Sequence, residues 1–398
     1  MSNRKRIVNA KIVTPSKVIL DGCLEIEDGV IVSIEEEPLA SECSDDIDAN
    51  GSWVIPGLVD SHSDAIEIEM EPRPSSIFPL EVSFYELEKK LVGEGITTIY
   101  HSLSLLEEYA KKWMRQNQTV IGLIKEIVEL SKKQHLIRHK THLRYEITNI
   151  DAVKDVQDLI KTKMIDQLSF MDHTPGQGQF RDIEIHKKLL MEHRHYTEEQ
   201  AENIIQESLG QEKLASTVIE QLAQLAAEYG IPIASHDDDT VEKLSVVKSW
   251  NATISEFPIE LEVAKRAKEM GLYVVMGAPN ALLGKSHSKN LSAIEAIQNG
   301  VVDILCSDYY PSSLLHAAFK LYHQHNIPIY KAINMVSINP ARALGIDSEV
   351  GSIEIGKKAD LLIVSEDRTR PVLETVFVNG MIVCQMRYQL PSLALNLS

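Results

Sequence analysis

Cysteine is scarce in this 398-residue chain: Cys23, Cys43, Cys306 and Cys384 are scattered, without C-x-x-C spacing. That scarcity excludes a disulfide framework or zinc knuckle and predicts reduced thiols in a cytoplasmic protein. No run approaches the ~20 apolar residues of a membrane span. The N-terminal stretch from Met1 to Val8 is basic but lacks the apolar region and small-residue cleavage site of a signal peptide. Positive charge is outweighed, with 40 Lys and Arg against 58 Asp and Glu and a net charge of −18. A phosphate backbone is bound through clustered Lys and Arg, so nucleic acid is excluded as the main partner. A phosphorylated small molecule is not, because a local cation cluster or a bound metal serves such a ligand inside an acidic protein. Internal repeats, low-complexity linkers and heptad runs are also missing.

What the chain does have is length and alternation. Residues Ile7 to Val13, Val18 to Ile26, Val30 to Glu35 and Ser52 to Ile55 read as short strands separated by turn signals at Pro15, Asp21-Gly22 and Asp28-Gly29. The far end behaves alike, with Gly351 to Ile355, Ala359 to Val364 and Thr375 to Val383 as strands. Between these flanks, apolar strands alternate with amphipathic helices such as Leu105 to Lys133, Val241 to Ser249, Leu261 to Met270 and Ser292 to Asn299. Eight strand candidates fall at Val54 to Ser61, Thr97 to His101, His142 to Ile147, Gln167 to Met171, Pro232 to Ser235, Thr253 to Phe257, Tyr273 to Met276 and Asp303 to Cys306. Eight such units predict an α/β fold, a (β/α)8 TIM-like barrel over residues 55–346. The flanks 1–54 and 347–398 predict a small β-sandwich domain built from both chain ends. Residues 180–229 are longer and more polar than one connection needs and read as a helical insertion, either a solvated helix pair or a lid or homo-oligomer contact.

In such a barrel the chemistry sits at the C-terminal ends of the strands. Those ends carry His62-Ser63-Asp64, His101, Glu146, Asp172-His173, His236-Asp237-Asp238-Asp239, Glu256, Asn280 and Asp308-Tyr309-Tyr310. In His62-Ser63-Asp64 the i, i+2 spacing points two donors to one face of a strand. Imidazole and carboxylate converging on one mouth suit Zn, Mn, Fe or Ni with little selectivity. Two metals bridged by Glu146 would account for the number of candidate donors, and a rim of polar residues holding no ion is the plain alternative.

The run Ile55-Pro56-Gly57-Leu58-Val59-Asp60-Ser61-His62, Ser307-Asp308, Asn339 to Gly345 and Gly351 to Leu361 together resemble the amidohydrolase superfamily, over almost the whole chain. Seven further blocks, in order from His142-Leu143-Arg144-Tyr145-Glu146 to Ser307-Asp308-Tyr309-Tyr310-Pro311, are similar to its diphosphatases of phosphonate metabolism. The resemblance implies a metal-dependent hydrolase that releases pyrophosphate from a phosphorylated sugar. It implies one or two divalent ions held by His62, Asp64, Glu146, His173, His236 and Asp308, with Asp308 also orienting or deprotonating the water. Arg73, Arg144, Asn280, His287 and Tyr309 are the substrate-contact candidates, and Glu67 and Asp237 the residues expected behind the ligands.

Departures from that pattern are specific. The related enzymes carry Asn where Ala65 stands, Asp where His101 stands, and an Arg and two glycines around Leu283, Lys285 and Lys289. These are read as mouth positions, so the metal set is kept and the substrate contacts are altered. His101 is either an extra ligand or a hydrogen-bonded rim histidine. The superfamily places its ligand histidines on strands five and six, whereas the count here puts His173 and His236 on strands four and five. Hydrolysis of a cyclic amide, N-acyl amine or deaminable ring stays open as an activity, as does a non-catalytic barrel that acts by binding.

Overall fold

The computed structural model describes residues 4–36, 46–107, 110, 112–194, 196–284 and 290–388. Eight parallel strands form one sheet in chain order: β1 (Leu58–Ser63), β2 (Ile96–Leu105), β3 (Arg138–Glu146), β4 (Gln167–Met171), β5 (Ile233–His236), β6 (Ile254–Glu256), β7 (Tyr273–Gly277) and β8 (Ile304–Cys306). The sheet curls until its two edges meet just past β1 and β8. There Ser63 bridges Asp308, Asp308 N–H donates to His62 O at 3.0 Å, and Asp64 N–H donates to Asp308 O at 2.7 Å. The barrel therefore closes at three of the candidate site residues, His62, Asp64 and Asp308.

Strand alternation sorts the side chains into two layers. Val59, Tyr100, Ala234, Ile254, Val275, Ile304 and Cys306 fill the inside of the barrel. Ile99, Leu103, Leu105, Leu143 and Tyr145 point outward into the helix layer. Helix Leu80–Gly93 turns Phe84, Leu87 and Leu91 toward that outer face, at the 3–4 spacing of an amphipathic helix. Phe84 is fully buried, worth about 1.5–3 kcal/mol by transfer. The helix expected from Leu105 begins only at Asn117 and runs to Ser131. Its apolar period starts at Val120, and a 3-10 turn, Trp113–Arg115, stands before it with Arg115 at the barrel mouth.

Both chain ends build a second sheet. Its order runs from Met381–Gln385 through Arg370–Val378, Leu361–Asp367, Trp53–Pro56, Arg4–Val13 and Val18–Glu27 to Val30–Glu35, with Ile47–Asp48 also paired to Arg4–Val13. Ile7, Ile12, Leu24, Ile26, Ile31, Val54, Leu361, Ile363 and Phe377 give it a core of its own. Two expectations are corrected here. The strand read as Val54 to Ser61 is two strands, because Pro56-Gly57 passes the chain from this sheet to the barrel. Gly351 to Ile355 is not a strand, because Gly351 and Gly356 take φ of +91° and +92° and turn the chain at both ends of the segment.

Three helices, Ile183–Arg194, Glu198–Leu209 and Ser216–Glu228, fill the stretch between β4 and β5. Thr197 starts the second with a capping box closed by Gln200. Among the described residues Cys23, Cys306 and Cys384 form no disulfide, and no helix is long and apolar enough to cross a membrane.

Candidate metal centre

The mouth of the barrel opens into a cavity of about 340 Å³. Asp64, Arg144, His173, His236, Asp237 and Asp308 form its polar floor, Arg115 stands at its side, and Phe257, Met276, Pro279, Leu283 and Leu291 make an apolar wall. A neighbouring cavity of about 320 Å³ shares Arg115 and His173 and adds Glu146, Thr148 and Phe180. Strand ends β1, β3, β4, β5 and β8 thus bring their polar residues together, as expected of a barrel.

Two of the histidines are held by a carboxylate, and the third has one close by. His62 is buried below the cavity floor, with Nδ1 3.1 Å from Glu256 Oε1. Its Nε2 is also buried and has no hydrogen-bond partner among the described residues. Burial and the nearby Arg144 charge push the His62 pKa well below its ordinary value, so the ring is neutral. His173 Nδ1 lies 2.6 Å from Glu146 Oε2, and the His173 backbone N–H donates to Glu146 Oε1 at 3.0 Å. His236 Nδ1 approaches Asp237 Oδ2 to 2.9 Å, while Nε2 faces Arg144 Nη2 at 3.0 Å. The Asp237 carboxyl is pushed up by burial, but His236, His173 and Lys243 more than offset this and hold it below the usual carboxylate range.

Asp308 shows the opposite balance. Burial and the Asp64 charge raise its pKa to about 7, with Arg144 pulling the other way. It sits at φ +54° immediately after β8 and is held from behind, since Asp60 Oδ1 accepts from the Ser307 N–H at 3.0 Å and Ser307 Oγ meets Ser63 Oγ at 2.8 Å. Arg144 is buried and reaches Asp64 Oδ1 at 3.4 Å through Nη1. Desolvation lowers the Arg144 pKa, but Asp64, Glu256 and Asp308 outweigh it, so the guanidinium is charged.

The donor atoms fit a divalent ion. His62 offers an orphaned buried imidazole nitrogen, and ligand atoms of His173, His236 and Asp237 lie within 4.8 Å of one another. Donor atoms of His62, His142 and Glu256 meet the same distance limit in a second, fully buried cluster. In the sequence Glu256 reads as a polar strand end without a stated role, and His142 is given none. His142 bridges Ser102 Oγ at 3.3 Å and Ser169 Oγ, while Glu256 also accepts from Gln167 and Ser169 at 3.2 and 3.1 Å.

The other candidates divide. Asn280 and Tyr309 line the cavity. The Asn280 amide is spent on the wall, donating to Leu291 O and accepting from Ala293 N–H, each at 3.0 Å. Glu67 is buried away from the donor cluster. Burial raises its pKa, but Arg115 and Lys112 overcome that and hold it down, with Arg115 Nη2 at 3.1 Å. Arg73 lies in an exposed turn with Ser76 and lines neither cavity, whereas Arg115 lines both. His287, Lys285 and Lys289 fall outside the described residues. His101 is not at the mouth. Strand β2 runs four residues beyond it, and the side chain points outward, with Nε2 2.9 Å from His139 Nδ1 and the ring near Phe84. All three aspartates after His236 are engaged: Asp238 is buried on Ser235 and Ser255, both at 2.5 Å, and Asp239 accepts from Gly178 N–H at 2.7 Å.

A barrel with this mouth and this second sheet defines a class, and the amidohydrolase family model matches residues 53–383. The chain belongs to the amidohydrolase family and is a hydrolase of that superfamily. It is 31% identical, over 94% of its length and 98% of the relative's, to the alpha-D-ribose 1-methylphosphonate 5-triphosphate diphosphatase of Escherichia coli K12. Imidazolonepropionase of Thermoanaerobacter pseudethanolicus is 22% identical over 87% of this chain and 84% of its own. In fold, 5-methylcytosine deaminase from Klebsiella pneumoniae aligns with a TM-score of 0.63 at 15% identity, over 97% of this chain and 98% of that one.

Proposed function

We propose that the protein is a metal-dependent diphosphatase that cleaves alpha-D-ribose 1-methylphosphonate 5-triphosphate, or a near relative, between the α and β phosphates. The observation that carries this reading is the convergence of Asp64, His173, His236 and Asp308 on one cavity that also holds Arg115 and Arg144. Those side chains offer water activation and phosphate recognition together. The full-length similarity to the Escherichia coli diphosphatase supplies the substrate class.

His62, His173 and His236, with Asp64 and Asp308 beside them, would hold the metal. Bound there, a divalent ion lowers the pKa of a coordinated water and neutralises charge on phosphoryl oxygens. Asp308, on the cavity floor beside that water, takes its proton. Oxygen adds to the α phosphorus, the bond from that phosphorus to its bridging oxygen breaks, pyrophosphate leaves, and the 5-phosphate stays on the sugar. Arg115 faces the phosphate oxygens with a planar fork, and Arg144 offsets charge on the cavity floor.

The apolar wall of Phe257, Met276, Leu283 and Leu291 favours a second reading, hydrolysis or deamination of a small ring. Metal-loaded protein incubated with the sugar triphosphate is expected to release pyrophosphate, and Asp308→Asn to lose at least 100-fold of that rate. No pyrophosphate, under conditions where the Escherichia coli enzyme releases it, would overturn the proposal. Turnover of imidazolonepropionate or an aminopurine by the same preparation would establish the second reading instead.

A further inference from the structure

The long stretch between β4 and β5 puts part of itself over the barrel mouth. Just past the helix Glu198–Leu209, Lys213 Nζ donates to Asp172 Oδ2 and the Leu214 N–H donates to Ile147 O, each at 2.8 Å. These bonds fix the chain to the ends of β4 and β3. Ser208 and Gln211 thereby form one wall of the cavity of about 320 Å³ beside the metal centre. Arg115 and His173 line this cavity and the first one alike, so a ligand held between them can extend into both.

The two cavities differ in chemistry. The first holds two guanidinium groups, Arg115 and Arg144; the second has, among the described residues, only the shared Arg115, and it faces the carboxylates Glu107 and Glu146. Glu146 is engaged by His173 through both oxygens, but Glu107 is exposed and makes no ion pair among the described residues. A phosphate chain in the second cavity would meet like charge there. Hydroxyl groups fit better. Glu107, Thr148 and Gln211 all line this cavity, and none of their side chains has a hydrogen-bond partner among the described residues. A carboxylate only accepts, an amide donates and accepts, and a threonine hydroxyl does either. A sugar hydroxyl can answer all three, whereas a phosphate oxygen only accepts and leaves Glu107 unmet. A carboxylate on a ribose hydroxyl is also how nucleotide sites hold that sugar.

We infer that the second cavity is the subsite for the hydroxyl-bearing sugar of the substrate, read by Glu107 and Gln211, while the phosphate chain lies in the first. The assignment rests on the diphosphatase reading above. It gives the long stretch between β4 and β5 a task in substrate selection.

Metal-loaded full-length protein is titrated calorimetrically with ribose 5-phosphate, its 2-deoxy and 3-deoxy analogues, and inorganic pyrophosphate. The wild type is expected to favour ribose 5-phosphate about tenfold over at least one analogue, the loss of one hydrogen bond to a charged group. Glu107→Ala and Gln211→Ala, both at exposed side chains, are expected to reduce that preference to about twofold or less, because the partner of the missing hydroxyl is gone. Pyrophosphate affinity should stay within about twofold in both variants. Equal binding of the three sugars by the wild type, or no binding of ribose 5-phosphate, would overturn the inference. So would a preference unchanged in both variants. Markedly tighter pyrophosphate binding by Glu107→Ala would overturn it too, by putting the phosphate chain in the second cavity. A failed pyrophosphate-release assay with the sugar preference intact would cost the reaction and keep the subsite. Pyrophosphate release without the preference would cost the subsite alone.

Discussion

Glu256 and His62 meet inside the barrel, with Oε1 3.1 Å from Nδ1 and both side chains fully buried. Gln167 and Ser169 also donate to Glu256, so each of its hydrogen-bonding partners presents a proton to it. An amide at this position would turn one donor against another. Carboxylates that orient ligand histidines contribute about 10–100-fold to metal affinity. Glu256→Gln is therefore expected to weaken metal binding about tenfold and Glu256→Ala about 100-fold, read by competition against a chelator. Unchanged affinity in a folded Glu256→Ala protein would remove His62 from the metal centre.

On the proposed reading, Glu67 bears on substrate instead of metal. It holds Arg115 at 3.1 Å and also accepts from Lys112, and Arg115 is the cavity cation whose guanidinium is not tied to the donor cluster. Glu67→Ala leaves that side chain unanchored. KM for the triphosphate is expected to rise about tenfold with kcat changed less than threefold, the signature of lost ground-state binding. Metal content should be that of the wild type. A matching loss in kcat at constant KM would show that Arg115 acts at the reacting phosphorus.

How much of this could be read in the chain depends on what fixed each side chain's direction. The eight strands were legible because apolar runs of strand length alternate with helix-period segments, and the terminal sheet because its strands end at turn residues. Ligand candidates at strand ends followed from that count, and the structure keeps His173 and His236 on strands four and five. His101 was misplaced by length. Its strand continues through Ser102-Leu103-Ser104-Leu105, so the end of the apolar run was not the end of the strand. Arg115 was hidden by a helix drawn too early, although residues 106–116 lack the apolar period that begins at Val120. His142 shows what alternation can hide, since an inward-facing polar residue below the mouth has the same local pattern as a satisfied core residue, whereas Glu256 was legible as a strand end but not as the partner of His62.

The outward chain His101, His139 and Glu88 predicts acid sensitivity. His101 Nε2 lies 2.9 Å from His139 Nδ1, and His139 Nε2 lies 3.1 Å from Glu88 Oε1. Burial pushes both histidines below their ordinary pKa, His101 well below, and hydrogen bonds from His139, Leu136 and Ile137 overcome burial to hold Glu88 down. The unfolded chain then binds protons that the folded one refuses, so stability falls as pH drops through the unfolded histidine value near 6.5. Glu88 adds a loss of the same sign at lower pH, through the carboxylate range. Each histidine contributes up to about 1.4 kcal/mol per pH unit over its window. His101→Leu is expected to flatten the fall in urea-unfolding stability between pH 7 and 5, relative to the wild type. An identical slope in the two proteins would show that His101 is not neutral in the fold.

Gly57 tests the junction where the chain leaves one sheet for the other. Its N–H donates to Asp360 O at 2.9 Å in the terminal sheet, and the next residue, Leu58, donates to Gly95 O at 3.0 Å beside the barrel. A Cβ at Gly57 would collide with Thr97 Oγ1 and Cγ2. Thr97 is buried on β2, so the strands would have to part at the start of β1, the end opposite His62 and Asp64. Overpacking of this kind costs about 1–3 kcal/mol. Gly57→Ala is expected to lower the midpoint of thermal unfolding by several degrees. Thr97→Ala in the same chain removes the two closest atoms and should recover part of the loss, which neither substitution alone would predict. Full stability in Gly57→Ala would mean that the two sheets are not locked together at this residue.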